Sequence, residues 1–192
     1  DFADALLRDT QAVEGTFTLD RFPNGELYAS VPTDMQSNTG LVLGGITPPE
    51  ERMLSTLLLC DTLKCEGARR VIFLAPYLAY MRQDRREPEH SLATAWVARL
   101  LHASGVDEVV TVDIHSRDDR EFFPMPLVSL SPAPLFAEIV RDLAWADATL
   151  VAPDEGAIPR CQAVREAAGE EYPIARFTKV RSAEGVRSTL QD

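Results

Sequence analysis

The chain has 192 residues, 45% of them hydrophobic, enough to bury the core of one domain or of one domain and part of another. A formal net charge of −11 and a pI of about 4.7 argue against a nucleic-acid duplex or an anionic membrane surface as partner, although local arginine clusters can still bind small anions. The three cysteines, Cys60, Cys65 and Cys161, show no Cys-x-x-Cys and no zinc-like spacing, which reads as a reduced cytoplasmic setting with no disulfide framework. No apolar run approaches the roughly 18 residues of a membrane span, and Asp1-Phe2-Ala3-Asp4 lacks the basic and apolar regions of a signal peptide.

In chain order, apolar positions at 2, 5 and 6 predict a short amphipathic helix over Phe2 to Leu7. Thr16 to Phe22 and Glu26 to Val31 read as two strands joined at Pro23-Asn24-Gly25, since Asn and Gly both tolerate positive φ in a hairpin turn. Leu41 to Ile46 predicts a buried strand. Thr47 then stands as N-cap of a helix that has prolines in its first turn and runs to about Lys64, before Gly67. Val71 to Ala75 predicts another strand, Ser91 to Ala103 a helix closed by Gly105, and Val109 to Ile114 a β-branched strand. The Pro-rich run from Pro124 to Pro134 predicts a passage between subdomains. Beyond it come helix Leu135 to Trp145, strand Thr149 to Ala152, helix Pro159 to Ala168 and strand Ile174 to Phe177. Strands alternating with helices imply crossovers and mostly parallel sheets, which bind ligands outside the carboxyl ends of their strands. Trp96 and Trp145 fall at helical spacing among apolar residues and are expected in the core, with the cysteines as small apolar fillers; His90 and His102 flank a helix and are expected to be exposed.

Several loops carry chemistry-bearing residues. Arg82-Gln83-Asp84-Arg85-Arg86 follows a buried strand and puts three guanidinium groups where a sheet binds ligands, although it also reads as a solvated charged loop. His115 ends the next strand with Asp113, Asp118 and Asp119 close in sequence. Those carboxylates can orient the imidazole or share a cation, and the alternative is a hydrogen-bonded core histidine. Asp154 opens a strand-loop-helix turn that supplies backbone N–H groups and a carboxylate, or is a plain Pro-Asp turn. Asn24-Gly25-Glu26 on its own reads as a hairpin tip, and Lys179 and Arg181 as part of a polar loop.

Taken together, these segments resemble the ribose-phosphate pyrophosphokinase family. Arg21-Phe22-Pro23-Asn24-Gly25-Glu26 is similar to that family's Phe-Ser-Asp-Gly-Glu loop, and Tyr77 to Arg85 to its Pro-Tyr-x-x-Tyr-x-Arg-Gln-Asp-Arg. Asp113-Ile114-His115 resembles its Asp-Leu-His, Val151 to Gly156 its Ser-Pro-Asp-x-Gly, and Lys179-Val180-Arg181 its Lys-x-Arg. The resemblance implies two tandem phosphoribosyltransferase-like α/β subdomains with mostly parallel sheets. Residues 1–130 would form the N-terminal ATP-binding part and 131–192 a C-terminal ribose-phosphate part, incomplete as the sequence stands. It further implies transfer of pyrophosphate from ATP to ribose 5-phosphate, with Mg²⁺ as cofactor, in a homo-oligomer. Arg82 and Gln83 would hold ATP together with the Asn24-Gly25-Glu26 turn of a neighbouring subunit, whose Glu26 receives the adenine amino group. His115 and Asp154 would ligate Mg²⁺. Lys179 and Arg181 would stabilise transferring charge from a loop that is mobile without substrates.

The departures from the pattern are specific. Asp118 and Glu121 stand where the family usually has Gln and Gly, although Phe122 and Phe123 are in place, and the connection after Arg86 is short. The sequence stops at Asp192, ahead of the family's acidic-acidic-x-x-x-Thr-Gly-x-Thr loop for the ribose 5-phosphate, and opens without Met; it is therefore expected to be a fragment or to lack residues. These departures leave open a catalytically silent homologue acting as a regulatory or binding subunit. Phosphoribosyl transfer to a base is a third reading of the same fold.

Overall fold

The computed structural model describes residues 2–143, 148–182 and 185–191. Contacts divide the chain into two units, Asp1–Leu130 and Ser131–Asp192.

The first unit begins with α1 (Phe2–Asp9) and an antiparallel hairpin of β1 (Thr18–Arg21) and β2 (Leu27–Ser30), which pairs Arg21 with Leu27. Its tip is not a two-residue Asn-Gly turn. Pro23 supplies the preset φ of a type I turn closed by Gly25 N–H on Phe22 O (2.8 Å), and Gly25 alone takes a positive φ, +90°, to let Phe22 N–H reach Glu26 O (2.9 Å). Proline at the first central position decides the turn here, so Asn24 does not need the left-handed conformation.

A four-stranded parallel sheet follows, made of β3 (Thr39–Leu43), β4 (Arg70–Ala75), β5 (Glu108–Val112) and β6 (Leu127–Leu130), ordered as in the sequence. Crossover helices α2 (Glu51–Cys65) and α3 (Ala93–Ala103) cover one face. There Leu59, Leu63, Val97, Ala98 and Leu101 join Val42, Val71, Phe73, Val109 and Leu127 in one core. Val71, Phe73 and Val109 are completely buried, each such side chain contributing about 1.5–3 kcal/mol. On the opposite face Leu41, Val128 and Leu130 remain exposed. The strand β6 lies inside the run expected to be only a linker: Pro124 and Pro126 precede it, and the residues between Pro126 and Pro132 are free to pair with β5.

Several boundaries move for identifiable reasons. Thr47 does not cap α2, which starts at Glu51 after the two prolines. A residue preceding proline is kept out of the helical region, and the Thr47 hydroxyl instead accepts from Arg52 Nη1 (3.2 Å). Gly67 and Gly105 adopt φ of +91° and +79° just past their helices, where a side chain would be strained. Trp96, expected in the core, is 44% exposed, because α3 buries Val97, Ala98 and Leu101 instead. Of the cysteines, Cys60 is fully buried but Cys65 is exposed. His90 and His102 are both exposed, as expected.

The second unit holds α4 (Ala133–Asp142), β7 (Leu150–Ala152), α5 (Ile158–Ala168), β8 (Ile174–Ser182) and β9 (Gly185–Gln191). Helix α4 packs on α5; β7 pairs in parallel with β8, and β8 in antiparallel with β9. The expectation of a helix to Trp145 ends, at Trp145 itself, outside the described residues. Gly169 closes α5 at φ +70°. The segment expected to leave the sheet after Phe177 remains a strand to Ser182, because β9 supplies hydrogen-bond partners that no pattern before Ile174 foretells.

Candidate functional site

The parallel sheet directs the carboxyl ends of β3, β4 and β5 to one edge, and the loop after β4 is the best-defined feature there. Its apolar residues hold it down: Leu78, Ala79 and Met81 are buried in the core, while Tyr77 is exposed. Tyr80 takes a φ of +69°, uncommon for a residue with a side chain, and two bonds from α3 fix that conformation. The fully buried Thr94 hydroxyl donates to Tyr80 O (3.0 Å), and Thr94 N–H donates to Gln83 O (3.4 Å). Because Leu92 at the helix N-cap offers no capping side chain, the Gln83 carbonyl takes up one of the unpaired N–H groups of α3.

This anchoring turns the charged sequence into a concavity of about 370 Å³ lined by Arg82, Gln83, Asp84, Arg85, Glu87, His90 and Ser91. Ser91 donates to Gln83 Oε1 (3.1 Å), which leaves the Gln83 amide N–H groups for a ligand. His90 Nδ1 lies 2.9 Å from Glu87 Oε2. The mixture suits a polar anionic ligand with a flat base: guanidinium forks pair with phosphate or stack on a ring, and an amide reads its edge. A second concavity, about 460 Å³, opens at the start of α2 between Gly45, Pro49, Glu51, Arg52, Ser55 and Thr56.

Asn24, Gly25 and Glu26 form the exposed tip of the β1–β2 hairpin. Arg21 ties the tip down, since its guanidinium bonds both Gly25 O and the Glu51 carboxylate, and the Phe22 and Tyr28 rings pack 4.8 Å apart. The tip does not line the cleft that holds Arg82 and Gln83.

His115 is exposed and lies past the end of β5, not on it. The strand stops at Val112 because Asp113 adopts φ +48°. Ile114 N–H then donates to Ser129 Oγ (3.0 Å), and Ser116 starts a 3-10 turn, Arg117–Phe122. Ser116 and Asp119 form a reciprocal capping box: Ser116 Oγ accepts from Asp118 N–H (3.3 Å), and Asp119 Oδ2 accepts from Ser116 N–H (3.1 Å). Asp119 is completely buried, and burial raises its pKa above the ordinary carboxylate value. The Ser116 N–H opposes the rise, Asp84 adds to it, His115 opposes it and Asp118 adds to it. Those terms bring the Arg82–Asp84 loop and the His115 turn into one electrostatic neighbourhood.

In the second unit, Asp154 caps a short 3-10 turn, Glu155–Ala157, its Oδ1 accepting from Ala157 N–H (3.1 Å). Lys179 and Arg181 lie on the backbone of β8, opposite Ser188 and Val186 of β9, and not in the loop expected for them. Among the described residues no three His, Cys, Asp or Glu side chains converge on a metal position. The donors that are present still suit Mg²⁺, which keeps most of its waters and takes one or two protein carboxylates together with substrate phosphates. Asp154 would offer the oxygen not used in its cap, and His115 a nitrogen. The sequence had not singled out Thr94, Ser91 or Glu87. Only the Ser91-x-x-Thr94 spacing at a helix start signals the first two.

A parallel sheet with an arginine-bearing loop at its carboxyl edge, followed by a second α/β unit, defines a phosphoribosyltransferase-like protein. The N-terminal domain of ribose phosphate pyrophosphokinase matches residues 1–105. The chain therefore belongs to the ribose-phosphate pyrophosphokinase family. It is 34% identical over 173 residues to the ribose-phosphate pyrophosphokinase of Methanothermobacter thermautotrophicus (90% of this chain, 60% of that one). It is 29% identical over 194 residues to that of Rhodopirellula baltica (99% and 61%). The crystal structure of phosphoribosylpyrophosphate synthetase from Mycobacterium smegmatis superposes with a TM-score of 0.84 at 25% identity, covering 97% of this chain and 62% of that one. The chain thus spans about 60% of the length of the relatives it matches. Among the described residues no helix is long and apolar enough to cross a membrane.

Proposed function

We propose that the protein carrying this chain transfers the pyrophosphoryl group of ATP to the 1-hydroxyl of ribose 5-phosphate, giving phosphoribosyl pyrophosphate and AMP. The observation that carries this is the cleft after β4, where a pinned loop presents Arg82 and an oriented Gln83 at the carboxyl edge of the sheet. Relatives named as the pyrophosphokinase support the catalytic reading over a silent subunit.

In the reaction the ribose 1-oxygen forms a bond to the β-phosphorus, the bridging bond to the α-phosphate breaks, AMP leaves, and the hydroxyl proton is lost to solvent. Such transfer depends on positioning and charge stabilisation and needs no covalent intermediate. Arg82 and Gln83 hold ATP, and the Asn24-Gly25-Glu26 tip of a second subunit completes the site in a homo-oligomer. Lys179 and Arg181 offset the charge that develops on the transferring group. His115 and Asp154 hold Mg²⁺, which when bound neutralises and orients the phosphates. The cytoplasmic setting rests on the cysteine pattern and on the nucleotide substrate. The reading is tested by AMP formation that requires both substrates and Mg²⁺ and is lost in Arg82→Ala; turnover unaffected by Arg82→Ala contradicts the assignment of the cleft.

A further inference from the structure

Among the described residues two buried side-chain atoms lack a hydrogen-bond partner, Thr111 Oγ1 and Asp119 Oδ1. The second is the costlier, because a carboxylate oxygen cut off from water and from any donor forfeits about 1–3 kcal/mol or more. Asp119 is 0% exposed, so solvent does not relieve it. Its other oxygen is committed to Ser116 N–H, the residue after His115, and Asp119 N–H points back at Ser116 O (3.3 Å). The carboxyl group is therefore built into the turn that carries His115. Of the side chains whose fields reach it, Asp84 and Asp118 are acids, and His115 is the one that has N–H donors to offer.

We propose that Asp119 is a positioning residue for His115: one oxygen locks the turn through Ser116, and the other accepts a ring N–H of His115, which fixes the imidazole tautomer and leaves the second ring nitrogen as a lone pair for a ligand. A histidine that serves a cation needs such an acceptor behind it, because the bond sets both ring orientation and tautomer. The arrangement also gives a reason for acid in this turn, which reads from sequence only as an excess of negative charge. The use of the oriented nitrogen in catalysis rests on the function proposed above; the orientation itself does not.

The test is the tautomer of His115 in the 192-residue chain, free of metal and nucleotide, read by long-range proton–nitrogen correlation with ¹⁵N-histidine at a pH where the ring is neutral. His115→Gln assigns its signals. One tautomer is expected in about tenfold or greater excess, the scale of a charge-assisted bond, whereas exposed His102 serves as the solution-like reference. Asp119→Asn keeps the volume and an oxygen for Ser116 N–H but puts a donor in place of the unpaired acceptor, and it should return His115 to a mixture with the circular dichroism unchanged. A mixed tautomer in the wild-type chain overturns the proposal, as does a single tautomer that survives Asp119→Asn. If that variant does not fold, Asp119→Ser, which retains one oxygen for the cap, is read in its place, and the wild-type spectrum decides independently. A wild-type protein that fails to turn over would remove the proposed function and leave the tautomer result standing.

Discussion

Thr94→Val probes the link between fold and site most sharply, because valine has the shape of threonine without the hydroxyl. Thr94 is fully buried, and its Oγ1 holds Tyr80 O at 3.0 Å, keeping Tyr80 at φ +69° two residues before Arg82. Removing the hydroxyl leaves the Tyr80 carbonyl unpaired. Tyr80 is half-buried, so water offsets part of the loss, which puts the cost at the lower end of the range for a deleted bond, about 1–2 kcal/mol, or roughly 4–8 °C in Tm. The bond from Thr94 N–H to Gln83 O survives, so the loop loosens without detaching. With Arg82 and Gln83 less ordered, the Kd for ATP should rise about 3–10-fold, equivalent to roughly 0.7–1.4 kcal/mol. Differential scanning calorimetry and titration calorimetry with ATP measure the two effects, and Thr94→Ser should restore both. A lowered Tm with an unchanged Kd would refute the reasoning, because ATP would then bind somewhere indifferent to this loop.

Arg82→Ala should weaken ATP binding by about 1–3 kcal/mol through loss of a charge-assisted contact, with unchanged Tm, read by the same titration. Asp107 lies below the ordinary carboxylate pKa: burial would raise it, but hydrogen bonds from Lys64 (2.6 Å) and Val71 N–H (2.6 Å) and the charges of Lys64 and Arg70 prevail. A depressed folded pKa gives stability that is present above the unfolded value near 3.8 and is lost as pH falls through the folded value. The deficit of Asp107→Asn in urea unfolding, under about 1 kcal/mol for so exposed a pair, should therefore be seen at pH 7 and vanish below pH 3. Burial pushes the Cys60 thiol up to about 12, so iodoacetamide should modify exposed Cys65 in the native protein and reach Cys60 only on unfolding, as peptide mapping would show.

Much of the fold was legible because its signals are local. The β-branched stretches of β4 and β5 and the glycines after α2 and α3 declare themselves within a few residues. Long-range pairing was not legible. Strand β6 hides in a Pro-rich run that reads as a linker, and β9 becomes visible only through the partner it gives β8, which turns an expected loop at Lys179 and Arg181 into ladder. The site shows the same division. Arg82 and Gln83 announce themselves beside Pro-Tyr-x-x-Tyr, but the residues that hold them, Thr94 and Ser91, act through contacts to Tyr80 and Gln83 that no periodicity encodes. Trp96 failed as a core residue because apolar spacing on α3 gives a face its width, and the tryptophan falls on the margin of that face. Asp119 was read as one of several acids; that it is the buried one depends on the capping box closing over it.

The measurement that bears most directly on the central claim is product analysis of the protein carrying these 192 residues, supplied with ATP, ribose 5-phosphate and Mg²⁺. The account predicts AMP and phosphoribosyl pyrophosphate in equal amounts, formation of both abolished when either substrate is omitted, and kcat lowered about a hundredfold or more in Lys179→Ala at unchanged ATP affinity. ADP as the nucleotide product, or a Lys179→Ala variant that keeps the parent rate, would contradict it.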